Sequence, residues 1–306
     1  QTKKVIRKKV DESVESAFGV IRKRIDKFGV TQPNIAKLGQ TGRILVELPG
    51  AKDVDRIKNL LQSTAQLEFW ETYKVEEIGN FLFAANEALK KTEKSTKAVA
   101  ATPTDTISNL IADKSKDTVA DKANLGPLVE KIVAPGGGPI LAVVSVKDTA
   151  AINGYFKRKD IKALLQADQR FAKFVWSKPK ENIDEKTKKI TETVDLYALK
   201  GNKDDVAPLS GGVITDARDT FGQDGKPAVS MQMNGQGANA WEELTGRAYT
   251  QKSFIAIALD DVVYSAPGVT SGPIAGGRSE ISGNFDVTET QDLANVLRAG
   301  KLPAAA

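Results

Sequence analysis

The stretch VSMQMNGQGANAWEELTGRAYTQKSFIAIALDDVVYS, residues 229–265, decides the fold class because it passes from strand to helix and back to strand. Residues 229–233 alternate apolar and polar side chains, which is the pattern of a strand with one buried face. Residues 238–248 then carry apolar side chains at helical spacing. Residues 254–259 and 262–265 flank a turn-forming Asp-Asp pair and predict a hairpin. Strands and helices mixed in this way predict an α+β fold.

Toward the C-terminus, the pattern predicts one more strand and a closing helix. Residues 280–285 alternate like a strand. Thr288 and Gln291 have the spacing of a capping box, which predicts that a helix begins there. Gly300 and Pro303 predict where that helix ends.

The first quarter of the chain predicts a ferredoxin-like unit. Apolar residues recur with a helical period over residues 11–29, and residues 34–48 predict a hairpin. A second helix is predicted after Asp53, which can cap it, and residues 67–71 predict another strand. If Val5–Val10 supplies the first strand, the order is βαββαβ, which is the ferredoxin-like arrangement.

The amino-acid composition changes in the middle of the chain. Residues 90–124 are rich in Lys, Thr, Ala, Asp and Ser and contain no aromatic residue, so we expect a mobile, low-complexity segment. Beyond the glycine-rich break at residues 136–138, residues 140–146 and 194–199 predict strands, and residues 161–176 predict a helix.

Composition excludes several classes of function. The chain has neither cysteine nor histidine, which removes zinc fingers, thiolate nucleophiles and Ser-His-Asp triads. We therefore predict no catalytic site, no metal site and no cofactor. No window approaches the run of about 18 apolar residues that a membrane-spanning helix needs, so the chain as given is expected to be soluble.

The charge leaves one alternative function open. The net charge is +5, and positive charge is dense in residues 3–9 and 22–27. A basic module that binds nucleic acid or an anionic surface is therefore the alternative hypothesis. Acidic residues are interspersed, however, and no aromatic stacking platform accompanies the basic ones, which favours a solvated helix face.

Two glycine motifs are similar to nucleotide-binding sequences but stand in the wrong context. Residues 235–240 fit G-x-G-x-x-A, yet the strand before them alternates, whereas a Rossmann strand buried on both faces is continuously apolar. Residues 272–279 have Arg278 where a phosphate loop has lysine, and a strand instead of a helix is predicted to follow. We predict no nucleotide site at either, and we interpret carboxylate pairs such as Asp260–Asp261 as turn and surface charges.

A set of stretches near the two ends of the chain carries a family resemblance: FGVIRKRIDKFGVTQPNIAKLG, GRILVELPG, LEFWETY, VSMQMNGQGANAWEELT, IALDDVVYSAP, GGRSEISGNF and TETQDLANVLRAGKLP. Together they resemble the SecD family of protein-export subunits, most closely the SecD half of the fused SecDF proteins of Bacteroidetes-type bacteria. The closing set is the most specific, and its motif residues are Ser265, Ala266, Pro267, Gly276, Gly277, Arg278, Ile281, Ser282 and Gly283. Residues 75–203 resemble only a lineage-specific insertion.

The resemblance implies a non-enzymatic domain at the periplasmic face of the bacterial inner membrane, anchored there in the full-length protein. Such domains are expected to hold emerging polypeptide during late export driven by the proton gradient. The implied partners are unfolded exported polypeptide, the SecYEG translocon and SecF, the last two through membrane segments outside this chain, with no nucleic acid. The family's upstream G-L-D-L-K-G-G motif is absent, which implies that the chain starts partway into the domain and that an early strand precedes it.

The resemblance also implies a division into subdomains. Residues 1–73 and 279–306 would form a ferredoxin-like base, and residues 74–278 an inserted α+β head. The hinge candidates are Tyr73, Ser271, Gly272 and Pro273, since glycine and proline are consistent with a bend. An unpaired strand edge or an apolar groove between the subdomains would hold the polypeptide, and the sequence leaves both open.

Overall fold

The computed structural model describes residues 2–26, 32–39, 41–51, 53–64, 66–99, 126–183, 190–222, 224–283 and 285–300. The helices are α1 (Thr2–Ile25), α2 (Val54–Gln62), α3 (Val75–Val99), α4 (Thr149–Lys157), α5 (Lys159–Lys162), α6 (Gly235–Gln251) and α7 (Val287–Ala299). The strands are β1 (Asn34–Lys37), β2 (Ile44–Glu47), β3 (Leu67–Glu71), β4 (Ile132–Gly137), β5 (Ile140–Ser145), β6 (Lys173–Ser177), β7 (Lys180–Ile183), β8 (Ile190–Leu199), β9 (Leu209–Ser210), β10 (Ile214–Phe221), β11 (Pro227–Met233), β12 (Ile255–Leu259), β13 (Val262–Ser265) and β14 (Arg278–Ile281). The chain divides into unit 1, Gln1–Thr72 with Asp204–Ala306, and unit 2, Tyr73–Lys203.

Unit 1 is built on antiparallel strands. β1 and β2 form a hairpin in which Asn34 lies opposite Glu47. β10, β11 and β14 form a three-stranded sheet in that order. β13, β12, β3 and β9 lie side by side in that order, and β3 is buried along its whole length. The hairpin predicted across Asp260–Asp261 is confirmed as β12 and β13.

Two helices complete the core of unit 1. Trp241 of α6 meets Phe69 of β3 edge to face, with ring centroids 5.1 Å apart. α7 lies against β10 and β11, where Leu293 and Leu297 join the same buried apolar cluster as Met231. Burial of apolar side chains such as these makes the main favourable contribution to the free energy of folding.

Gly237, in the 235–240 stretch, permits close packing. As the alternating pattern predicts, β11 is antiparallel to both its neighbours, so the strand before α6 is not a parallel Rossmann strand. Asn234 caps α6 by accepting a hydrogen bond from the backbone N of Gly237 at 2.8 Å. A Cβ at Gly237 would lie 2.6 Å from the side chain of Val213, and glycine therefore permits the close approach.

The strand predicted at Val5–Val10 is wrong, because these residues lie in the first half of α1. Residues 3–13 are all exposed, so no neighbouring strand stabilises an extended conformation, and Lys, Arg and Glu favour helix. The described part of the first quarter therefore contains β1, β2 and β3, and β3 pairs with β12 and β9, not with the hairpin. The α+β class is confirmed, whereas the ferredoxin-like base remains a prediction.

Unit 2 has its own sheet and its own core. β4, β5, β8 and β6 are antiparallel neighbours in that order, and β7 also pairs with β8. The rings of Phe81, Phe156 and Phe174 stack with centroid distances between 4.2 and 5.9 Å. The predicted strands at 140–146 and 194–199 are confirmed within β5 and β8.

The helix predicted at residues 161–176 is wrong. Only Lys159–Lys162 is helical there, and turns follow before β6 begins at Lys173. β6 pairs along β8 with Phe174 opposite Ala198, so pairing in the sheet overrides the local helical pattern. In the segment predicted to be mobile, residues 90–99 continue α3, and the rest lies outside the described residues.

The closing helix begins earlier than its predicted cap. Asp286 is the N-cap: its side chain accepts from the backbone N of Glu289 at 2.8 Å, and Glu289 accepts from the backbone N of Asp286 at 3.0 Å. Thr288, predicted as the cap with Gln291, instead lies inside the first turn. The predicted stop at Gly300 is confirmed, and Pro303 lies outside the described residues.

Candidate functional site

Unit 1 contains a groove of about 810 Å³, here called the α1–α2 groove. It is lined by Ser13, Val14, Ala17, Ile21, Leu38, Gly42, Arg43, Ile44, Leu45, Val46, Leu48, Ala51, Val54, Ile57, Lys58, Leu61 and Gln62. α1 forms one wall, α2 another, and the hairpin of β1 and β2 lies between them in the lining. Its surface is largely aliphatic.

The apolar faces of these elements explain why the groove forms. Ile21 and Ile25 of α1 are buried in a small cluster with Ile44 and Val46 of β2 and Leu61 of α2. This cluster is too small to cover all the apolar side chains that the three elements present. Leu38, Leu45 and Val54 therefore stay at least 38% exposed on the groove's lining. Apolar side chains exposed around one groove make it a candidate for an interaction site.

β2 gives the groove a second feature. Among the described residues β2 pairs with β1 alone, so its outer edge faces no other strand. An edge of this kind presents backbone N–H and C=O groups to which an extended peptide can add as a strand. Leu45 lies on one face of β2 between Ile44 and Val46, which point to the other face.

The charges on the groove are positive. Arg43 and Lys58 are the ionisable residues in the lining. Just outside it, Lys37 pairs with Glu15 and places its ammonium 4.9 Å from the centre of the Phe18 ring. The groove is therefore suited to a neutral or acidic extended segment with aliphatic side chains.

Metal binding is one chemistry that a cluster of carboxylates could support in the parts of the chain that the structure describes. No cluster of three or more Asp or Glu side chains is placed there to hold a metal ion. The lining of the groove offers apolar side chains for contact, and β2 offers backbone N–H and C=O groups for hydrogen bonds.

Arg24 connects α1 and α2 with Gly300, the residue that follows α7. This side chain is 1% exposed, and its Nη1 donates to the carbonyl oxygens of Leu60 at 2.7 Å and Ser63 at 2.6 Å. Its Nη2 donates to the carbonyl oxygen of Gly300 at 3.3 Å, just after α7. Burial lowers the pKa of Arg24, and the nearby negative charge of Asp260 partly offsets this effect. The ends of α2 and α7, where helix dipoles are negative, thus meet one buried cation.

The family-motif residues named from the sequence lie together, and several of them make contacts that stabilise this part of unit 1. Ser265 Oγ donates to the carbonyl oxygen of Ser282 at 2.5 Å, which joins the two halves of the motif. Ile281 is fully buried in the core of unit 1. Gly277 has a φ of +68°, and its carbonyl oxygen accepts from the backbone N of Met233 at 2.8 Å. The other motif residues are Ala266, Pro267, Gly276, Arg278 and Gly283, in the adjoining loops and at the start of β14.

The hinge candidates at residues 271–273 lie within unit 1. Gly272 is buried with a φ of +93°, and Pro273 lies against Gly246 of α6. The next residue, Ile274, donates its backbone N–H to the hydroxyl of Thr245 at 2.9 Å, while Ser271 is exposed. The hinge role of these residues stays a prediction.

The fourth hinge candidate, Tyr73, is the first residue of unit 2. Its backbone N donates to the carbonyl oxygen of Ala198 at 2.8 Å, and its hydroxyl donates to the backbone carbonyl oxygen of Asp168 at 3.0 Å. The chain returns to unit 1 after Lys203, not near residue 272. The division at residues 73 and 279 therefore differs from that of the compact units, and it stays a prediction.

Sequence reasoning missed both the groove and Arg24. The signal for Arg24 was present, because it lies three residues after Ile21 and directly before Ile25, on the apolar stripe of α1. A cation on a buried stripe indicates a polar partner in the core. The groove had no such signal, because it depends on how three elements meet.

No helix in the described ranges is long and apolar enough to cross a membrane.

Comparison with protein families gives two matches. Residues 14–74 match the model described as the N-terminal part of the P1 domain of protein translocase subunit SecDF. Residues 195–304 match the model of the SecDF P1 head subdomain, so this model includes α7, which the sequence analysis grouped with the base.

Comparison with curated proteins extends the likeness over nearly the whole chain. The protein translocase subunit SecD of Rhodothermus marinus is 35% identical over 304 residues, covering 98% of this chain and 46% of the relative. The SecD subunit of Magnetococcus marinus is 31% identical, covering 95% of this chain and 37% of the relative. The chain thus spans less than half the length of these curated relatives.

Two solved structures are similar. The SecDF structure in a super-membrane-facing form gives a TM-score of 0.49 at 24% identity, covering 96% of this chain and 27% of that one. A structure of SecDF, described as a membrane component that enhances protein export, gives a TM-score of 0.48 at 25% identity. It covers 96% of this chain and 90% of that one.

Proposed function

Since this chain belongs to the SecD family of protein translocase subunits, we propose that it is a periplasmic domain that transiently holds exported polypeptide. The observation that carries the proposal is the α1–α2 groove, an aliphatic surface beside an edge of β2 that no described strand covers. An extended segment would add to β2 through backbone hydrogen bonds and would place alternate side chains against the groove wall.

Binding at this site is expected to be weak and tolerant of sequence. Backbone hydrogen bonds recognise any extended peptide, and each contributes about 1 kcal/mol net. Aliphatic contact adds roughly 25 cal/mol per Å² buried, but ordering a flexible peptide offsets much of this gain. A micromolar dissociation constant, about −8 kcal/mol, fits a site that must release its ligand, whereas a nanomolar one would hold the chain too long.

The wider parts of the proposal concern the full-length protein. The domain would be anchored in the inner membrane and would work beside the SecYEG translocon and SecF, with the proton gradient driving its cycle and no chemistry of its own. A base and a head moving about hinges would couple that cycle to holding. A cysteine pair that tethers the two subdomains tests this, because the chain has no native cysteine. Equal export with the disulfide formed and reduced would argue against a moving head.

The groove is tested by a matched pair of substitutions. Leu45 and Leu164 are both 38% exposed, but only Leu45 lies on the groove. We expect Leu45→Ser to weaken binding of a fluorescent peptide of alternating valine and serine about tenfold, since burying a leucine contributes about 1.4 kcal/mol or more. Leu164→Ser should leave the affinity unchanged.

Fluorescence anisotropy of the labelled peptide measures both affinities. Equal affinities for the two variants would exclude the α1–α2 groove as the holding site. A salt titration in the same assay addresses the alternative of a basic nucleic-acid-binding or anionic-surface-binding module, because phosphate neutralisation gives a steep salt dependence that peptide binding lacks.

A further inference from the structure

Unit 2 has an apolar cavity of its own, here called the α3 cavity. It measures about 230 Å³ and is lined by residues of α3, β4, β5, α4 and β8, together with Leu128 and Val129. Asn86 is the one polar residue of this lining, and its side-chain oxygen already accepts from the backbone N of Leu128 and of Val129, both at 3.2 Å. Water needs at least two polar partners to occupy a cavity, so the α3 cavity favours an apolar occupant.

Phe83 stands at the mouth of the α3 cavity. It belongs to the lining and is 71% exposed, and Val129, also in the lining, is 37% exposed. The cavity is therefore open to solvent on the side of these two residues. An apolar cavity of about 150 Å³ holds one benzene molecule, so a cavity of about 230 Å³ has room for a phenyl ring. Unit 2 thus presents an exposed phenyl ring next to a cavity of the right size and chemistry for one.

The charges along α3 are opposite on the two sides of Phe83. Glu76 and Glu77 lie in the first turn of the helix, and Lys90 follows Phe83 by seven residues. Seven residues make about two turns, so Glu76, Phe83 and Lys90 share one face of α3. Glu76 is exposed, and the Lys90 side chain, which pairs with Glu87 at 2.9 Å, is 24% exposed. Two copies of α3 placed antiparallel therefore bring an acidic start against a basic end twice.

We infer that two copies of this chain associate through unit 2, with Phe83 of each copy in the α3 cavity of the other and the two α3 helices antiparallel. A two-fold interface joins the same patch of both molecules, so a patch that carries a ring beside a cavity for a ring is complementary to itself. The charges of Glu76 and Lys90 are complementary in the same arrangement. The inference does not depend on peptide binding in the α1–α2 groove, whose lining lies entirely in unit 1.

The association is expected to be weak. Two phenyl rings bury on the order of 300–500 Å², whereas a stable interface buries about 1,200 Å² or more. We therefore expect monomers at micromolar concentration and dimers on the order of 0.1–1 mM. Sedimentation equilibrium of the 306-residue chain over this range measures the dissociation constant. A chain that stays monomeric up to about 1 mM would overturn the inference, and the cavity would then be left to an apolar ligand of another kind.

A matched pair of substitutions tests the ring. Phe83 and Phe221 are 71% and 64% exposed, but only Phe83 lines the α3 cavity. We expect Phe83→Ala to raise the dissociation constant at least about tenfold, because each dimer loses two buried rings. Phe221→Ala should leave it within about twofold. Dimers that tolerate Phe83→Ala as well as Phe221→Ala would place the interface elsewhere.

A second pair tests the cavity at residues whose side chains are already in contact with solvent. Val129→Trp puts a large ring at the mouth of the α3 cavity and should weaken dimerisation by a similar factor. Val206→Trp adds the same ring to a 62% exposed valine of unit 1 and should have no effect. Equal dissociation constants for these two variants would show that the ring of the second copy does not enter the cavity.

Charge reversal tests the antiparallel arrangement. Glu76→Lys places like charges together at two points of each dimer and should raise the dissociation constant about threefold. Glu242→Lys, at an exposed position of α6, changes the net charge by the same amount and should leave the dissociation constant unchanged. A Glu76→Lys variant that dimerises as well as the Glu242→Lys variant would overturn the antiparallel arrangement of the helices.

Discussion

Arg24 is a cation in a nearly fully buried position, where its guanidinium donates to the backbone carbonyl groups of Leu60, Ser63 and Gly300. Removing it leaves the carbonyl oxygens of Leu60, Ser63 and Gly300 without this donor. We expect Arg24→Met to lower the free energy of unfolding by about 3 kcal/mol, because hydrogen bonds to charged groups contribute about 1.5–3 kcal/mol and orphaned acceptors add to the loss. Urea denaturation measures the difference.

Arg22 provides the matched control for this change. It lies on the same helix but is exposed, so Arg22→Met should change the free energy of unfolding by no more than about 0.5 kcal/mol. Equal effects of the two substitutions would show that Arg24 does not tie the helix ends together.

Two tyrosines, the buried Tyr197 and the half-buried Tyr264, set an alkaline limit on stability. Burial raises the pKa of Tyr197 and of Tyr264, with further contributions from Asp195 and from Glu289 respectively. Because both values are higher in the folded state than the ordinary value of about 10, the folded protein keeps these protons longer. Stability is therefore expected to be unaffected below about pH 10 and to fall as the pH rises toward the folded values. Tyr264→Phe should weaken the fall measured by urea denaturation between about pH 9 and pH 11, and an unchanged pH dependence would contradict this cause.

Single residues also show what the sequence could and could not predict of the site. The motif residues from Ser265 to Gly283 were named because the sequence resembles a known family there. Ser265 and Ser282 do meet, and their contact joins the end of β13 to the residue after β14. Arg24 was overlooked because its partners lie in α2 and after α7, and no local pattern records such distant contacts.

At the scale of elements, the start of α7 shows how a short motif is misplaced by two residues. Both Thr288–Gln291 and Asp286–Glu289 have capping-box spacing. Only Asp286 has an extended backbone with a side chain that accepts from Glu289. We expect Asp286→Ala to lower the free energy of unfolding by about 1 kcal/mol, and Thr288→Ala to have almost no effect. Similar denaturation midpoints for the two variants would place the cap elsewhere.

Elements with strong local patterns were predicted well, and those that depend on partners were not. β11, β12, β13 and α6 follow from alternation, helical spacing and a turn pair within one continuous stretch. β6 was mistaken for a helix because Lys173–Ser177 is defined by its pairing with β8. The first half of α1 was mistaken for a strand because its valines and isoleucine suggested one, whereas the solvated Lys and Arg residues determine the structure.

At the scale of the whole molecule, the two compact units predict which fragments fold. Unit 2 contains a complete buried cluster, so residues 73–203 expressed alone should unfold cooperatively, with a near-ultraviolet circular dichroism signal from Trp176. The head predicted from the sequence, residues 74–278, would separate Met231 and Trp241 from Leu293 of the same cluster. That fragment is expected to be unstable, and cooperative unfolding of 74–278 but not of 73–203 would favour the sequence-based boundary.

The insertion of unit 2 into unit 1 has a consequence for biosynthesis. β3 is made early, yet its neighbours β12 and β9 lie on the far side of residues 73–203. At about 5–20 residues per second, the ribosome needs on the order of ten seconds to deliver β12 after β3, and unit 2 is complete before then. During that interval the nascent chain carries an unpaired strand with the apolar residues Leu67, Phe69 and Trp70, whose partner strands have not yet been made. It then has the same chemistry as the polypeptides that the finished domain is proposed to hold.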